Sequence, residues 1–450
     1  MTDMTADPNI QESWPAPAPQ GPLHARVKIP GSKSLSNRYL LLAAAGSSTV
    51  TLHGLLRSRD SELMMGALET LGVRVSSDAD DPTTVSVSPP GSGRYTGNVT
   101  IDCGLAGTVM RFVPGLAMLA DGPVTFDGDS QAYQRPMAPL LEGLEQLGAD
   151  IVYHGEPGHL PFTLVPPSQW NSGKVAIDAS ASSQFISGIL LIAPALPHGV
   201  ILKHTGKTLP SLPHIRMTVD DLKHAGAQVK AHEYQREWLV EPGSLHLPPH
   251  VTIEPDLSNA APFLGAALLA GGSVEVPNWP EQTTQPGGLL PGYLSRMGAD
   301  VSFIEEEGTR WCRVSSDGTI HGLGDFDLTA AGEIAPSLAA LLVFADAGTN
   351  MLGIGHLRGH ETNRLAALVQ EIGRVGGEAQ ELPDGISITP VPQERLHAAD
   401  LHSYADHRMA TFGAMLALRI HGITVENIGT TSKTLPDFVE MWRSMLNDDK

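Results

Sequence analysis

The chain has 450 residues, of which 41% are hydrophobic and 17% charged, and its formal net charge is −20 at pH 7. A charge of that sign argues against a general nucleic-acid-binding surface, and no apolar run is long enough to span a bilayer. Cys103 and Cys312 are too few for a disulfide framework, which favours a reducing compartment. We therefore expect a soluble, cytoplasmic protein that has at least two hydrophobic cores and binds neither nucleic acid nor membrane.

The first elements predicted along the chain are an N-terminal arm, a strand and a helix. Residues 1–23 contain acids and prolines without an apolar core, so they are interpreted as a flexible arm rather than a targeting segment. A short strand over residues 25–29 then leads through the turn at Pro30 and Gly31 into an apolar helix that begins near Ser34.

The start of this helix is a candidate anion site. The sequence PGSKSLSNR at 30–38 puts Lys33 at the helix N-terminus and Arg38 one turn further on. Free backbone N–H groups and the helix dipole attract anions there, and phosphate suits them best. The alternative is an ordinary N-cap followed by a solvated lysine. Residues 31–34 lack the flanking glycines of a P-loop, so a kinase or ATPase is not supported.

The same pattern recurs along the whole chain. A short strand and a small or polar residue precede an apolar run that closes near a glycine, and these runs begin at Ser34, Gly107, Ser182, Ser258, Gly332 and Asp406. Their spacing of about 75 residues indicates six copies of a βαβαββ unit, whose apolar first helix should be buried beneath sheets. Because six units exceed one core, we predict an α/β fold of two similar domains with three units each, divided near residues 253–256.

Several polar clusters stand where these units begin. Residues Tyr404 to Arg408 place an acid, an imidazole and a guanidinium in one turn, as a surface ion-pair cluster or a functional site would. Glu333 opens the apolar helix of the fifth unit, either as a partner of the helix dipole or as a general base. His356 and His360 have the spacing of metal ligands on a helix, but no third ligand is evident, so no metal is expected.

Seven motifs spread over nearly the whole chain carry a family resemblance. In order they are PGSKSLSNR (30–38), LAGTVMRF (105–112), QRPM (134–137), SSQF (182–185), HLRGHETNR (356–364), YADHRMA (404–410) and SKTLP (432–436). Together they resemble the bacterial type of 5-enolpyruvylshikimate-3-phosphate synthase, a family of enolpyruvyl transferases. That family has two domains of three βαβαββ units, with buried parallel helices and sheets outside, which agrees with the repeat.

The resemblance implies a domain arrangement and an activity. One domain would be discontinuous, comprising residues 24–32 and 254–450, the other would span 33–253, and the active site would lie in the cleft between them. The enolpyruvyl group of phosphoenolpyruvate would be transferred to the 5-hydroxyl of shikimate 3-phosphate with release of phosphate, in the shikimate pathway of aromatic amino acid biosynthesis. These two small molecules would be the partners, without a metal or organic cofactor, and we expect a monomer.

The resemblance also assigns roles residue by residue. Those implied for shikimate 3-phosphate are Lys33, Ser34, Arg38, Ser182, Ser183, Gln184, Ser211, Glu333 and His360. Those implied for phosphoenolpyruvate are Lys33, Gly107, Arg135, Gln184, Arg364, Arg408 and Lys433. The implied catalytic residues are Glu333 as base, Glu361 and Lys433 for proton delivery, and Lys33 for charge stabilisation. Two phosphates and two carboxylates need several cations, and arginine suits bidentate contacts with both.

Several positions depart from the family's usual residues. Glu333 stands for an Asp, Leu105 for an Asn, His214 for a Tyr, His356 for an Asn, His360 for a Lys and Asn363 for an Asp. The cations are unaffected, so these departures concern the shikimate contacts and the identity of the proton donor.

The residues argue against two other functions. The related transferase that acts on UDP-N-acetylglucosamine carries a Cys in the loop before its Arg-Pro pair, whereas residues 128–135 contain none. A non-catalytic anion-binding protein on the same scaffold would have no need of Lys33, Glu333, Glu361 and Lys433 together.

Overall fold

The computed structural model describes residues 13–91, 93–209, 211–359 and 361–447. They form two compact units, a continuous unit from Pro30–Glu254 and a discontinuous unit that joins the described residues up to Ile29 to those from Pro255 onward. The chain passes between the units after Ile29 and after Glu254. The sequence analysis placed these boundaries after residues 32 and 253, which differ by three residues and by one.

The strands are numbered along the described chain. They are β1 (Ser13–Pro15), β2 (Leu23–Arg26), β3 (Val50–His53), β4 (Arg74–Ser77), β5 (Val85–Ser88), β6 (Val99–Asp102), β7 (Val124–Asp127), β8 (Asp150–Tyr153), β9 (Phe162–Val165), β10 (Lys174–Ile177), β11 (Val200–His204), β12 (Val229–His232), β13 (Glu237–Val240), β14 (His250–Thr252), β15 (Gly272–Val276), β16 (Asp300–Glu306), β17 (Thr309–Ser316), β18 (Gly324–Asp327), β19 (Thr349–Leu352), β20 (Glu378–Leu382), β21 (Gly385–Thr389), β22 (Asp400–Leu401) and β23 (Thr424–Glu426).

The α-helices of the described chain alternate with these strands. They are α1 (Lys33–Ala45), α2 (Arg59–Thr70), α3 (Gly107–Ala117), α4 (Ala138–Leu147), α5 (Gln184–Ile192), α6 (Leu212–His224), α7 (Ala260–Ala270), α8 (Leu290–Arg296), α9 (Ala335–Leu342), α10 (Arg364–Arg374), α11 (His407–Leu416) and α12 (Phe438–Asn447).

The sheets repeat one strand order. In the continuous unit the orders are β14-β3-β5-β4, β6-β7-β9-β8 and β10-β11-β13-β12, and in each the first pair is parallel and the others antiparallel. In the discontinuous unit the sheets β2-β15-β17-β16 and β18-β19-β21-β20 follow the same rule. The predicted α/β class with βαβαββ repeats is confirmed.

Two strands pair away from the repeat that they precede. Strand β2 precedes the first repeat but runs parallel to β15 of the fourth, while β14 precedes the fourth repeat but runs parallel to β3 of the first. This exchange makes one unit discontinuous, because residues 23–26 complete a sheet whose other strands lie beyond residue 271.

The last sheet uses the N-terminal residues. Its order is β1-β23-β22, and β1 takes the antiparallel position that a repeat's own closing strand fills elsewhere. Trp14 is buried and packs edge-on against Phe438, with ring centroids 6.3 Å apart. The interpretation of residues 1–23 as a flexible arm is therefore wrong for Ser13–Pro15, because the sixth repeat lacks a closing strand and recruits this one; residues 1–12 lie outside the described residues.

Each unit has its own hydrophobic core around the apolar helices. In the continuous unit α1, α3 and α5 pack together, and every residue of α3 is buried. In the discontinuous unit α7, α9 and α11 do the same, with every residue of α9 and α11 buried. Within the described part of the chain, no helix has the length and apolarity needed to cross a membrane.

Candidate active site

The first helix of the continuous unit begins with a lysine. Ser32 caps α1 by accepting a hydrogen bond from the amide of Leu35 at 3.4 Å, so Lys33 is the first helical residue. Its Nζ lies 3.7 Å from Asp60 Oδ2, and its side chain is 23% exposed. The partly exposed ammonium and the helix N-terminus together favour an anion at this point.

Arg38 is buried against the unit's own polar atoms. Its Nε donates to Thr218 Oγ1 at 2.9 Å, its Nη2 to the carbonyl of His214 at 3.1 Å and its Nη1 to the carbonyl of Ser34 at 3.0 Å. The guanidinium also lies 3.9 Å from Asp221, whose pKa burial raises to about 7 although the charge of Arg38 lowers it. In this arrangement Arg38 fixes α1 against α6, and its contact with shikimate 3-phosphate stays a prediction.

The starts of α3 and α5 bring two arginines and a glutamine together. A Cβ at Gly107 would lie 2.7 Å from Nη2 of Arg135, so a side chain there would displace the guanidinium. Arg135 donates to the carbonyl of Leu105 at 2.8 Å, and Arg111 donates to Oε1 of Gln184 at 2.7 Å. Burial, with the charge of Arg135, lowers the pKa of Arg111 to about 9. An anion would offset both effects, so this cluster suits a phosphate or carboxylate.

The serines assigned to shikimate 3-phosphate lie on two loops. Ser182 Oγ accepts from the amide of Gln184 at 3.3 Å, and Ser183 is the N-cap of α5. Ser211 precedes α6 in the left-handed backbone region, with φ 54°. Both loops therefore end at helix starts.

A histidine that the sequence analysis missed joins these two loops. His204 is 3% exposed; its Nδ1 accepts from the amide of Ala179 at 3.1 Å, and its Nε2 donates to the carbonyl of Thr208 at 2.9 Å. The only sequence signal is a histidine at an inward-facing position of β11.

In the discontinuous unit an arginine and an aspartate are paired inside the fold. Arg364 is the first residue of α10, and Asp406 caps α11 by accepting from the amide of Arg408 at 2.8 Å. The Nε of Arg364 lies 2.7 Å from one carboxylate oxygen and its Nη2 3.2 Å from the other. Burial lowers the pKa of Arg364, but the carboxylate of Asp406 outweighs it, so the net shift is upward.

The proton-delivery candidates form a chain that ends on a buried histidine. Lys433 Nζ donates to Glu361, and His407 Nδ1 donates to the other carboxylate oxygen of Glu361 at 3.0 Å. Burial lowers the pKa of His407 to about 4, against the raising effect of Glu361. The imidazole is therefore neutral near pH 7, and its Nδ1 carries the proton.

The predicted base lies beside a cation. Glu333 stands in a short 3-10 turn before α9, and its side chain is 36% exposed, with Oε2 3.9 Å from Nη2 of Arg408. The His356 ring lies close to the residue before Glu333, since a Cβ at Gly332 would be 3.0 Å from it. Burial lowers the pKa of His356, although the charge of Glu333 acts to raise it. Arg408 also donates to the carbonyl of Ser258 at 2.9 Å.

One group of side chains has the spacing of a metal site. The potential ligand atoms of Glu361, Asp406 and His407 lie within 4.8 Å of one another. Asp406 already holds Arg364 at both oxygens, and Glu361 holds Lys433. Because these carboxylates have cationic side chains as partners, the donor set fits a proton and charge network better than a metal centre.

The structure brings together Glu333 with Arg408, Glu361 with Lys433, and Gly107 with Arg135. His360 lies outside the described residues. Asp406 and His407 were seen in the sequence as a cluster without assigned roles, and only the fold gave them partners. Asn363, where the family has an Asp, still caps α10 by accepting from the amide of Ala366 at 3.3 Å.

Comparisons with known proteins identify the family of this chain. A family model described as EPSP synthase (3-phosphoshikimate 1-carboxyvinyltransferase) matches residues 17–442. A protein of Bifidobacterium longum (strain DJO10A), named 3-phosphoshikimate 1-carboxyvinyltransferase, is 68% identical over 435 residues, which are 96% of this chain and 98% of the relative.

Two solved structures of EPSP synthase from Acinetobacter baumannii share the fold. The TM-scores are 0.79 and 0.78 at 23% identity, over 96% of this chain and 97% and 98% of theirs. The structural matches support the fold class, and the sequence matches support the family. The resemblance carried by the seven motifs is thus confirmed, and the chain belongs to the EPSP synthase (3-phosphoshikimate 1-carboxyvinyltransferase) family.

Proposed function

We propose that this protein transfers the enolpyruvyl group of phosphoenolpyruvate to the 5-hydroxyl of shikimate 3-phosphate and releases phosphate, as a step of aromatic amino acid biosynthesis. The 68% identical relative carries the name of this activity. The observation that supports it best in the structure is the position of the cations. Lys33 is the first residue of α1, Arg364 the first of α10 and Arg408 the second of α11, where free backbone N–H groups also attract anions.

Two sets of residues would bind the substrates. In the continuous unit Lys33, Arg135 and Gln184 would bind anionic groups, and the loops ending at Ser183 and Ser211 would bind shikimate 3-phosphate. In the discontinuous unit the cations for phosphoenolpyruvate would be Arg364, Arg408 and Lys433. That both sets serve a single active site stays a prediction of the sequence, as do the monomeric state and the cytoplasmic location.

The proposed chemistry is an addition followed by an elimination. In the addition Glu333 takes the proton of the 5-hydroxyl, the oxygen bonds to C2 of phosphoenolpyruvate, and an acid protonates the C3 methylene. In the elimination the new methyl group gives a proton back to the group that supplied it. The C2–O bond to phosphate then breaks, and phosphate leaves with the electron pair. An acid and a base are therefore needed at one carbon centre.

The pairing of Lys433, Glu361 and His407 supports proton delivery from this group. Lys433 and Glu361 share a hydrogen bond, so either one can supply a proton while the other balances the charge. His407 is neutral near pH 7, because burial lowers its pKa to about 4, and it holds Glu361 in place through its Nδ1–H. Lys33 would stabilise the charge on the departing phosphate.

The decisive experiment measures phosphate release from phosphoenolpyruvate with shikimate 3-phosphate or UDP-N-acetylglucosamine as acceptor. The proposal expects release with the shikimate substrate alone. Release only with the nucleotide sugar would keep the fold and overturn the substrate. Ligand binding without release with either acceptor would support the non-catalytic anion-binding protein and overturn the proposed activity.

A further inference from the structure

Side chains of helix α10 form hydrogen bonds with the loop before α11 at two separate points. The first is the pair between Arg364 and Asp406. The second lies two turns further along α10, where Glu371 accepts from the hydroxyl of Tyr404 at 2.6 Å and from the amide of His402 at 3.1 Å. Both ends of the loop from 402 to 406 are therefore held by one helix.

Glu371 is an unusual residue for such a position. Its side chain is fully buried, and its charge is balanced by Arg374, whose Nε lies 3.3 Å away. A buried carboxylate is costly unless its oxygens accept hydrogen bonds, and here donors reach both oxygens. Burial raises the pKa of Tyr404, and so does the bond to Glu371, which keeps the hydroxyl a donor.

The loop itself has a strained backbone. Tyr404 has φ 54° and Ala405 has φ 53°, so two consecutive residues with side chains adopt the left-handed conformation. Such residues avoid this conformation unless surrounding bonds hold them in it. The next residue is Asp406, which caps α11 and pairs with Arg364. The strained turn therefore sets the direction of the carboxylate that holds Arg364.

We propose that Glu371 and Tyr404 are positioning residues for the phosphoenolpyruvate subsite. By holding the turn at 404–405 they fix Asp406, and through it the guanidinium of Arg364 and the start of α11, which carries Arg408. Neither residue contacts substrate in this proposal. The inference rests on the proposed function, because it takes Arg364 and Arg408 as ligands of phosphoenolpyruvate.

The test compares Tyr404→Phe with Tyr95→Phe. Tyr95 is buried and Tyr404 half-buried. The Tyr95 hydroxyl donates one hydrogen bond, to the carbonyl of Ala44 at 2.8 Å, so each variant loses a tyrosine hydroxyl that donates within the fold. We expect Tyr404→Phe to raise the KM for phosphoenolpyruvate about tenfold, since small displacements of binding groups are costly. The KM for shikimate 3-phosphate should change less than about twofold, and Tyr95→Phe should leave both values unchanged.

Glu371→Gln and Glu371→Ala give the second comparison. Gln keeps an oxygen for Tyr404 or the amide of His402, so it should restore part of the phosphoenolpyruvate affinity that Ala loses. Equal increases in both KM values, or a fall in melting temperature with unchanged KM values, would overturn the positioning role and leave a structural one.

Hydrogen exchange separates this inference from the proposed function. Wild-type protein that releases no phosphate would refute the function, and the exchange rates of the backbone amides from 402 to 408 would still test the loop. Faster exchange in Tyr404→Phe, absent from Tyr95→Phe, supports the role of the hydroxyl in holding the turn. Unchanged exchange in that segment would overturn it.

Discussion

Arg364 and Asp406 form a two-point ion pair inside the discontinuous unit, with side chains that are 3% and 0% exposed. The guanidinium Nε and Nη2 reach separate carboxylate oxygens at 2.7 and 3.2 Å, the geometry in which arginine and carboxylate bind best. Removing one charge leaves the other buried without its partner. The free-energy cost of that uncompensated charge is larger than the net stabilisation that the intact pair provides.

Asp406→Asn should therefore destabilise the protein strongly. Asparagine still caps a helix, so the variant removes the charge while retaining the cap of α11. We expect the free energy of unfolding, measured by denaturant titration, to fall by about 3 kcal/mol. Asp317→Asn is the control, because that exposed aspartate accepts from the amide of Thr319 at 2.8 Å. Similar losses in both variants would contradict a special role for the buried pair.

His407 should make the stability depend on pH. Its folded-state pKa is about 4, lowered by burial and by the charges of Arg408 and Arg364 against the raising effect of Glu361. The unfolded imidazole takes up its proton near the ordinary pKa of about 6.5. The unfolded state thus binds more protons between these values, so the stabilisation is complete above pH 6.5 and is lost as the pH falls towards 4.

The measurement is denaturant unfolding at pH 7.5 and pH 5. Wild type should lose about 2 kcal/mol more than His407→Gln over this interval. His154→Gln replaces an exposed histidine and should lose as much as wild type. A wild-type slope that matches that of His407→Gln would show that His407 is not the group responsible.

The sequence predicted local structure well and tertiary partners poorly. Helix α1 begins at Lys33, one residue before the predicted start, because the Ser32 cap and the apolar run are local features. Local patterns did not show which strands β2 and β14 pair with, since that pairing joins residues more than 190 positions apart. Only the family resemblance implied that the residues around β2 belong with the C-terminal half. In the same way the cations were found from their motifs, whereas only the fold showed that Arg38 is held by Thr218 and Arg364 by Asp406.

Lys33→Ala should remove turnover without unfolding the protein. The ammonium is partly exposed, and its ion pair with Asp60 at 3.7 Å contributes little to stability. Phosphate release should fall by about 100-fold or more, since the charge on the departing phosphate loses a partner. The free energy of unfolding should change by less than about 1 kcal/mol, as for Lys174→Ala, an exposed control in the same unit. A large loss of stability in Lys33→Ala alone would make Lys33 structural.

Glu333 offers a test of the base, because the usual residue at this position in the family is one methylene shorter. Glu333→Gln keeps the side-chain volume but cannot accept the hydroxyl proton, so kcat should fall by about 100-fold or more. Glu333→Asp restores a carboxylate and should recover most of that loss. Because the side chain is 36% exposed and 3.9 Å from Arg408, neither variant should unfold the protein. Equal activity in the Gln and Asp variants would show that the carboxylate is not the base, and the proton would then have to leave through another group.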